Sequence, residues 1–349
     1  MQTVLTILIT VLMFGVLIFV HELGHFLTAK WAKVKVNEFA LGMGPRILKK
    51  QGKETLYSLR ALPIGGFVQM DGEDGNGTDE NSFNNKPKWK RFIILFAGAF
   101  NNLIFGFLLI CLVHGLLSGV SAYPTTVIDQ FHDDAISSAS GLQPGDTIYA
   151  IDGYRIFSYT DIGYACSKNG TEPLTFTVQR DGKKVEINDV VFPVVSTDYA
   201  GDFFTVDFYV EPAPKNLFNT IKYSFESTIS LSRSIYSFFG SLFTGGESLK
   251  NVTGVVGVTQ VIGDTVATEK GIDFYSLFLM MAMISINLGV VNLLPFPALD
   301  GGRILLLAIE AVFRRKLSEK VEVAINTIGL ALLMLLMVVI TVKDVINLF

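Results

Sequence analysis

Four stretches of the chain carry no charged residue over a bilayer-spanning length: Met1 to Val20, Phe92 to Tyr123, Phe274 to Leu299 and Val323 to Val342. Each reaches or approaches the roughly 20 residues that a membrane-crossing helix requires, so the pattern predicts four transmembrane helices. Between the second and third stretch the pattern changes to short alternating or β-rich runs at Thr125 to Phe131, Asp146 to Ile151, Leu174 to Val178 and Lys184 to Val195. Asp181-Gly182, between the last two runs, is a hairpin turn signal. A small β domain is expected there. After Pro214, residues 217–244 are rich in Phe, Ser and Tyr with sparse charges, which predicts an amphipathic helix at the membrane interface rather than a fifth span.

Composition and charge sharpen this picture. With 50% hydrophobic and 17% charged residues and a mean hydropathy of +0.45, the 349 residues do not form a single soluble core. A net charge of −4 is too small to imply a nucleic-acid partner. The first apolar run has no basic residue before it and no small-x-small cleavage site after it, so it reads as a retained helix rather than a secretory signal. Cys111 and Cys166 offer neither a disulfide framework nor metal spacing. Residues 30–91 hold twelve basic side chains and should be cytoplasmic by the positive-inside rule. Residues 121–215 hold fourteen Asp and Glu against six Lys and Arg, and should face outside. Arg303, Arg314, Arg315, Lys316 and Lys320 then return the chain to the cytoplasmic side. Four spans with both termini outside satisfy every loop. Trp31 and Trp89 flank the cytoplasmic ends of spans one and two, as interface anchors do.

Candidate chemistry begins at His21-Glu22-Leu23-Gly24-His25, an H-E-x-x-H sequence continuing from the first apolar helix. The histidines stand at i and i+4, so both imidazoles project from one face and can chelate a single zinc ion. Glu22 lies on the adjacent face, where a carboxylate can take the proton of an attacking water. Two histidines and a glutamate are expensive in an apolar helix unless they face a polar cavity or a partner. His21 precedes Lys30 by about 13 Å of helix, which sets the site below the cytoplasmic surface. His114 and His132 have no ligand spacing and are read as structural.

A hydrolytic zinc site needs a third ligand and an open position. The candidate is Asp300, in Asn292-Leu293-Leu294-Pro295-Phe296-Pro297-Ala298-Leu299-Asp300-Gly301. An unbroken helix from Phe274 to Asp300 would measure about 39 Å against a hydrocarbon core of about 30 Å. Pro295 and Pro297 should break it first. Non-helical backbone at membrane depth survives only inside protein or along a watery cavity. On spacing alone, Asp300 is either a ligand or an interfacial turn residue before Gly301-Gly302.

Taken together, HELGH on a first span, NLLPFPALDGG on a third, and SGLQPGDTIYAIDGYRI at residues 140–156 resemble the site-2 protease family of intramembrane zinc metalloproteases. The last of these is similar to the helix, Pro-Gly-Asp turn, strand and Asp-Gly turn of a PDZ fold. The likeness is to the bacterial PDZ-containing branch, which includes regulators that cleave anti-sigma factors, and it covers essentially the whole chain. It implies an α-helical polytopic membrane protein with four transmembrane helices and an inserted PDZ-like β-rich domain. Residues 1–120 would form the first membrane part, 121–213 an extracytoplasmic PDZ-like domain, and 214–349 the interfacial helix with spans three and four.

For the site, the resemblance implies that His21, His25 and Asp300 bind Zn2+, that Glu22 is the general base, and that Asn292 holds the substrate or the developing oxyanion. Gly98-Ala99-Phe100-Asn101-Asn102 resembles the family's small-residue motif that packs against the catalytic helices, with Asn102 reaching the substrate; close helix packing alone would also explain it. Leu62 to Met70 corresponds to a re-entrant β loop in which Gly65, Gly66 and Phe67 offer an edge to an unwound substrate. A hairpin lying on the membrane surface is the plainer alternative. The implied partners are the bilayer of the inner (plasma) membrane and single-span membrane proteins such as anti-sigma factors or signal-peptide remnants. The competing class is a non-catalytic membrane scaffold with PDZ-like partner binding and a structural metal, against which Glu22 argues, since a structural site has no use for that carboxylate. A transporter is weaker still, because the broken helix is not repeated within the chain.

Overall fold

The computed structural model describes residues 2–73, 79–168, 170–197, 201–244, 252–265, 267–268, 271–315 and 318–346. In chain order the main elements are α1 (Gln2–Trp31), β1 (Val36–Gln51), β2 (Leu56–Met70), α2 (Lys88–Leu112), β3 (Ala122–Phe131), β4 (Thr147–Ile151), β5 (Tyr154–Arg155) and α3 (Tyr159–Lys168). They continue with β6 (Leu174–Arg180), β7 (Lys183–Val190), β8 (Val194–Thr197), β9 (Gly201–Phe204), β10 (Phe208–Pro214), α4 (Leu217–Thr244), α5 (Val255–Thr265), α6 (Phe274–Asn292), α7 (Asp300–Phe313) and α8 (Glu319–Ile346). They fall into two compact units, Met1–Leu109 with Phe238–Phe349, and Ile110–Ser237.

Four helices among the described residues, α1, α2 with the π turn Val113–Leu117 that extends it, α6 and α8, are long and apolar enough to cross a membrane. Large side chains of α8 such as Ile328, Leu335 and Val338 are more than half exposed, which suits a helix whose solvent is lipid. The helices cross through small residues, because apolar side chains gain little by leaving lipid and close packing must supply the attraction. A Cβ on Gly106 of α2 would come within 2.5 Å of Ile286 on α6, and one on Gly289 of α6 within 2.9 Å of the Ala99 carbonyl. The ion pair of Arg91 and Glu310, 3.1 Å apart and buried on both sides, fastens α2 to α7, and Lys88 donates to the Glu310 carbonyl at 2.7 Å.

β1 and β2 are long strands that bend, so that one pair makes four adjacent segments. Leu41 faces Gly66 on one side and Leu59 on the other, while Arg46 to Gln51 pairs with Leu56 to Arg60. Gly66–Met70 is therefore an outer segment, and among the described residues no further strand pairs with it. The left-handed Gly42 and Gly44 (φ +83° at both) allow the bend in β1.

The second unit is a sheet of order β10-β3-β4-β6-β7, with β5 pairing β4 and α3 packed beside it. Its core is apolar, with Ile128, Ile148, Ile162, Leu174, Phe176 and Phe192 inaccessible or nearly so. Asp181 and Gly182 both have positive φ and close the β6–β7 hairpin, as their sequence requires. In Pro144-Gly145-Asp146 the Asp146 carboxylate accepts from the Gln143 amide at 2.9 Å and from Arg180 at 2.7 Å, tying the turn to β6. Burial lifts the Cys166 thiol to about 12, which makes it inert.

Several sequence boundaries are corrected. The second charge-free stretch does not run helically to Tyr123; the helix ends in the π turn, and Tyr123 belongs to β3, where its hydroxyl meets the His114 carbonyl and Thr220. The third helix ends at Asn292, three residues before Pro295, and Leu293 to Leu299 are not helical. The run from Lys184 to Val195 is interrupted after Val190, behind the left-handed Asp189 (φ 56°). Only a 3-10 turn, Ser137–Ser140, stands where a helix was read before the Pro-Gly-Asp turn. The compact unit is wider than 121–213, because α4 up to Ser237 docks on it: Ser230 and Arg233 approach the buried Asp161 at 2.8 and 3.5 Å, and Arg233 also donates to the Arg155 carbonyl.

Candidate functional site

His21 and His25 stand one turn apart on α1, and the ring that packs most tightly is His25. Its Nδ1 lies 2.8 Å from the Ile94 carbonyl of α2. A carbonyl only accepts, so Nδ1 carries the proton and the lone pair of Nε2 points the other way. The backbones of α1 and α2 touch here: a Cβ on Gly24 would sit 2.3 Å from the Ala97 carbonyl oxygen, and one on Gly98 only 2.2 Å from Nε2 of His25. We expect Gly98→Ala to displace the His25 ring, lowering the affinity for a bound metal by about tenfold or more, with the helical circular dichroism unchanged. Normal metal content in that variant would show that the contact is slack.

Asp300 opens α7. A Cβ on Gly301 would lie 2.3 Å from the Leu294 carbonyl oxygen, and one on Gly302 2.2 Å from that of Phe296, so the two glycines let the helix start directly beneath the Leu293 to Leu299 loop. Ala298 takes a left-handed conformation (φ 73°), with its amide 3.3 Å from Oδ1 of Asn326 on α8. The loop thus aims Asp300 back at α1. Nε2 of His21 and Nε2 of His25 are 3.2 Å apart, and each is 3.3 Å from Oδ2 of Asp300.

That triangle fits a metal ion. A tetrahedral zinc with bonds of ~2.0–2.1 Å separates its ligand atoms by about 3.3 Å, which matches all three edges. Oδ2 of Asp300 is buried and has no hydrogen-bond partner, an arrangement that is costly for a carboxylate unless a cation completes it. Two imidazoles and one carboxylate are also the donor set of hydrolytic rather than structural zinc.

The triangle opens into a cavity of about 630 Å³, lined among others by Glu22, Glu38, Gly66, Phe67, Gln69, Glu73, Asn292 and Arg303. Glu22 and the outer segment Gly66–Met70 are neighbours, since a Cβ on Gly66 would come within 3.0 Å of Cγ of Glu22. Asn292, at the end of α6, lines the cavity with its Nδ2 3.5 Å from Nδ1 of His21. Gly65 does not line it; it packs on Met43 instead. Asn102, assigned to the substrate from the sequence, is fully buried behind His21, its side-chain nitrogen 3.3 Å from Nδ1 of that ring, its side-chain oxygen without a partner, and its backbone carbonyl accepting from Ser285. Its contact is with the candidate ligand, which corrects the assignment.

Glu38, Arg60, Glu73 and Arg303 were not singled out from the sequence. Glu38 is buried under Arg46, Arg60 and Ser58. Those groups, Arg46 first, hold its carboxyl low, at about 2, so it stays ionised. A lone acid in the apolar run Val36 to Leu41, and an arginine at i+3 from Asp300, were the available signals.

Residues 9–336 match the profile described as peptidase family M50. A Clostridium acetobutylicum protein whose name assigns it provisionally to the zinc metalloproteases is 38% identical over 97% of each chain. The regulator of sigma-W protease RasP of Bacillus subtilis is 30% identical over 99% of each chain. The zinc metalloprotease RasP of Geobacillus kaustophilus is 31% identical over 99% of this chain and 98% of its own.

Proposed function

The chain belongs to peptidase family M50, the site-2 proteases, and on that premise we propose that it is a zinc-dependent endopeptidase that hydrolyses peptide bonds within the transmembrane segments of single-span membrane proteins. The observation that carries this reading is the triangle of His21, His25 and Asp300 set beside an unpaired strand edge in one cavity.

His21, His25 and Asp300 would hold the zinc ion, which when bound would supply Lewis acidity toward the scissile carbonyl and lower the pKa of water. Glu22, which is not among the three donors, takes the proton of the attacking water and delivers it to the leaving amine. Asn292 faces the cavity and offers its amide to the carbonyl oxygen as negative charge builds there. The Ile94 carbonyl accepts the Nδ1 proton of His25, and the Asn102 amide, turned so that its oxygen faces His21, accepts that ring's Nδ1 proton, orienting both imidazoles from behind. A peptide bond inside a helix is shielded by its own hydrogen bonds, so the substrate must unwind; the outer edge of Gly66–Met70 receives the extended form by strand addition.

The inserted unit is read as PDZ-like, supported by the order β10-β3-β4-β6-β7, the Pro-Gly-Asp turn and α3 between β5 and β6. The charge bias puts this unit and both termini outside the cytoplasm, with α4 along the interface, its Leu217, Phe218 and Phe225 exposed on one side. Substrates would be single-span membrane proteins such as anti-sigma factors or signal-peptide remnants, in keeping with the regulator of sigma-W protease among the relatives. Purified protein incubated with a single-span substrate should cut inside the apolar segment, as located by mass spectrometry, with activity removed by a chelator and restored by zinc. Cleavage only in flanking polar sequence would sink the intramembrane reading.

A further inference from the structure

The outer segment Gly66–Met70, paired with β1 on one side only, is pinned at both ends to elements that carry the chemistry. At its start, Gly66 lies against α1, where a Cβ would come within 3.0 Å of both Glu22 and Ile18. At its end, Glu73 follows Met70 in a turn, and one carboxylate oxygen, Oε2, is 3.4 Å from the Met70 amide. The other oxygen, Oε1, pairs with Nη1 of Arg303. Arg303 is three residues beyond Asp300 on α7, so the two side chains share a helix face.

We propose that Glu73 and Arg303 are positioning residues: their ion pair sets the free strand edge at a fixed distance from the helix that supplies Asp300, and so places an extended substrate in register with the three ligand side chains. The proposal rests on the reading of Gly66–Met70 as the substrate's partner strand.

Its place in the fold favours this over a merely structural pair. The side chains of Arg303 and Glu73 are 34% and 16% exposed and both line the cavity, whereas the pair that fastens α7 to α2, Arg91 with Glu310, is buried at 8% and 7%. A partly exposed pair contributes little to global stability. What it does supply is geometry, because a planar guanidinium holds a carboxylate in a defined orientation that a lysine does not reproduce. The turn is separately tied by the Asp71 amide to the Lys35 carbonyl at 2.9 Å and by Ser82 to the Asp71 carboxylate at 2.5 Å, so the strand's fold does not depend on Arg303. Only its relation to α7 does.

The test uses the full-length zinc-loaded protein in detergent. Arg303→Gln and Glu73→Gln should each speed hydrogen exchange at the amides of Gly66 to Met70 by about tenfold, raise KM for a single-span substrate several-fold with a smaller change in kcat, and leave zinc content at its normal value. Arg303→Lys should fall between, and the exchanged pair Glu73→Arg with Arg303→Glu should recover much of the protection and of KM. Should a single variant fail to fold, the exchanged pair and Arg303→Lys still decide the matter. Unchanged exchange at Gly66 to Met70, or a loss of protection spread evenly over all helices together with lost zinc, would overturn the proposal. Faster exchange with KM unmoved would support the anchor and overturn the reading of the strand as the substrate's partner.

Discussion

Glu22→Gln should abolish peptide hydrolysis while the protein keeps its fold and its zinc. The amide is nearly isosteric with the carboxylate, which matters because Gly66 packs directly on Glu22 Cγ and any change of volume there would push the strand. None of the three converging donor atoms belongs to Glu22, so metal content should hold at one ion per chain. What is lost is proton acceptance. Removing a general base typically costs ~10²–10⁴-fold, and among the described residues the cavity's other acids outside the metal triangle are engaged, Glu38 by two arginines and Glu73 by Arg303, so neither replaces it. The comparison is cleavage of a single-span substrate by the two forms, with zinc measured on the same preparations. Comparable rates would refute the assignment of the base; lost zinc would move Glu22 to the metal. The inactive form should also retain uncut substrates in cells, which identifies them.

How much of this was legible depends on how local the determinants are. His21, Glu22 and His25 could be placed because helical periodicity alone puts two imidazoles on one face. Asp300 could not, since nearly the whole chain separates it from His21, and its approach is fixed by the loop Leu293 to Leu299 and by Gly301 and Gly302 fitting beneath that loop's carbonyls. The alternating runs marked β3, β4, β6 and β7, half of the inserted unit's described strands, and Asp181-Gly182 marked its hairpin. β8, β9 and β10 were missed, since no clean alternation marks them, and the fold-back of β1 on β2 escaped because register is set by tertiary pairing. α5 was also unread; its docking is organised by Asp344 of α8, which accepts from the Gly254 and Gly257 amides at 2.9 and 3.0 Å, a contact that no local pattern announces. Asn102 is read as a substrate contact from the sequence, whereas the fold buries it behind His21, with its side-chain nitrogen facing that ring.

The larger test of the metal centre is Asp300→Ala, in which zinc affinity and activity should fall together. Losing one of three protein ligands should exceed the ~10–100-fold loss of affinity caused by removing an outer-shell partner, so at micromolar zinc the variant should purify with little metal and show no measurable cleavage. A turn residue at the interface would behave otherwise, with full zinc and near-normal activity. Thermal unfolding separates the two without an activity assay. A ligand present at a thousand times its dissociation constant stabilises the folded state by about 4 kcal/mol, so wild-type protein should gain several degrees in Tm on zinc addition and the variant almost none. The metal-free forms should differ far less, because without zinc Oδ2 of Asp300 keeps only the two imidazole nitrogens at 3.3 Å as partners and alanine removes a buried carboxylate together with those contacts. An apo variant as stable as, or more stable than, the apo wild type, combined with a lost response to zinc, is the signature of a carboxylate kept at this position for the metal. An apo variant that melts early with its zinc response intact would instead assign Asp300 to the start of α7 and leave the third ligand to be found.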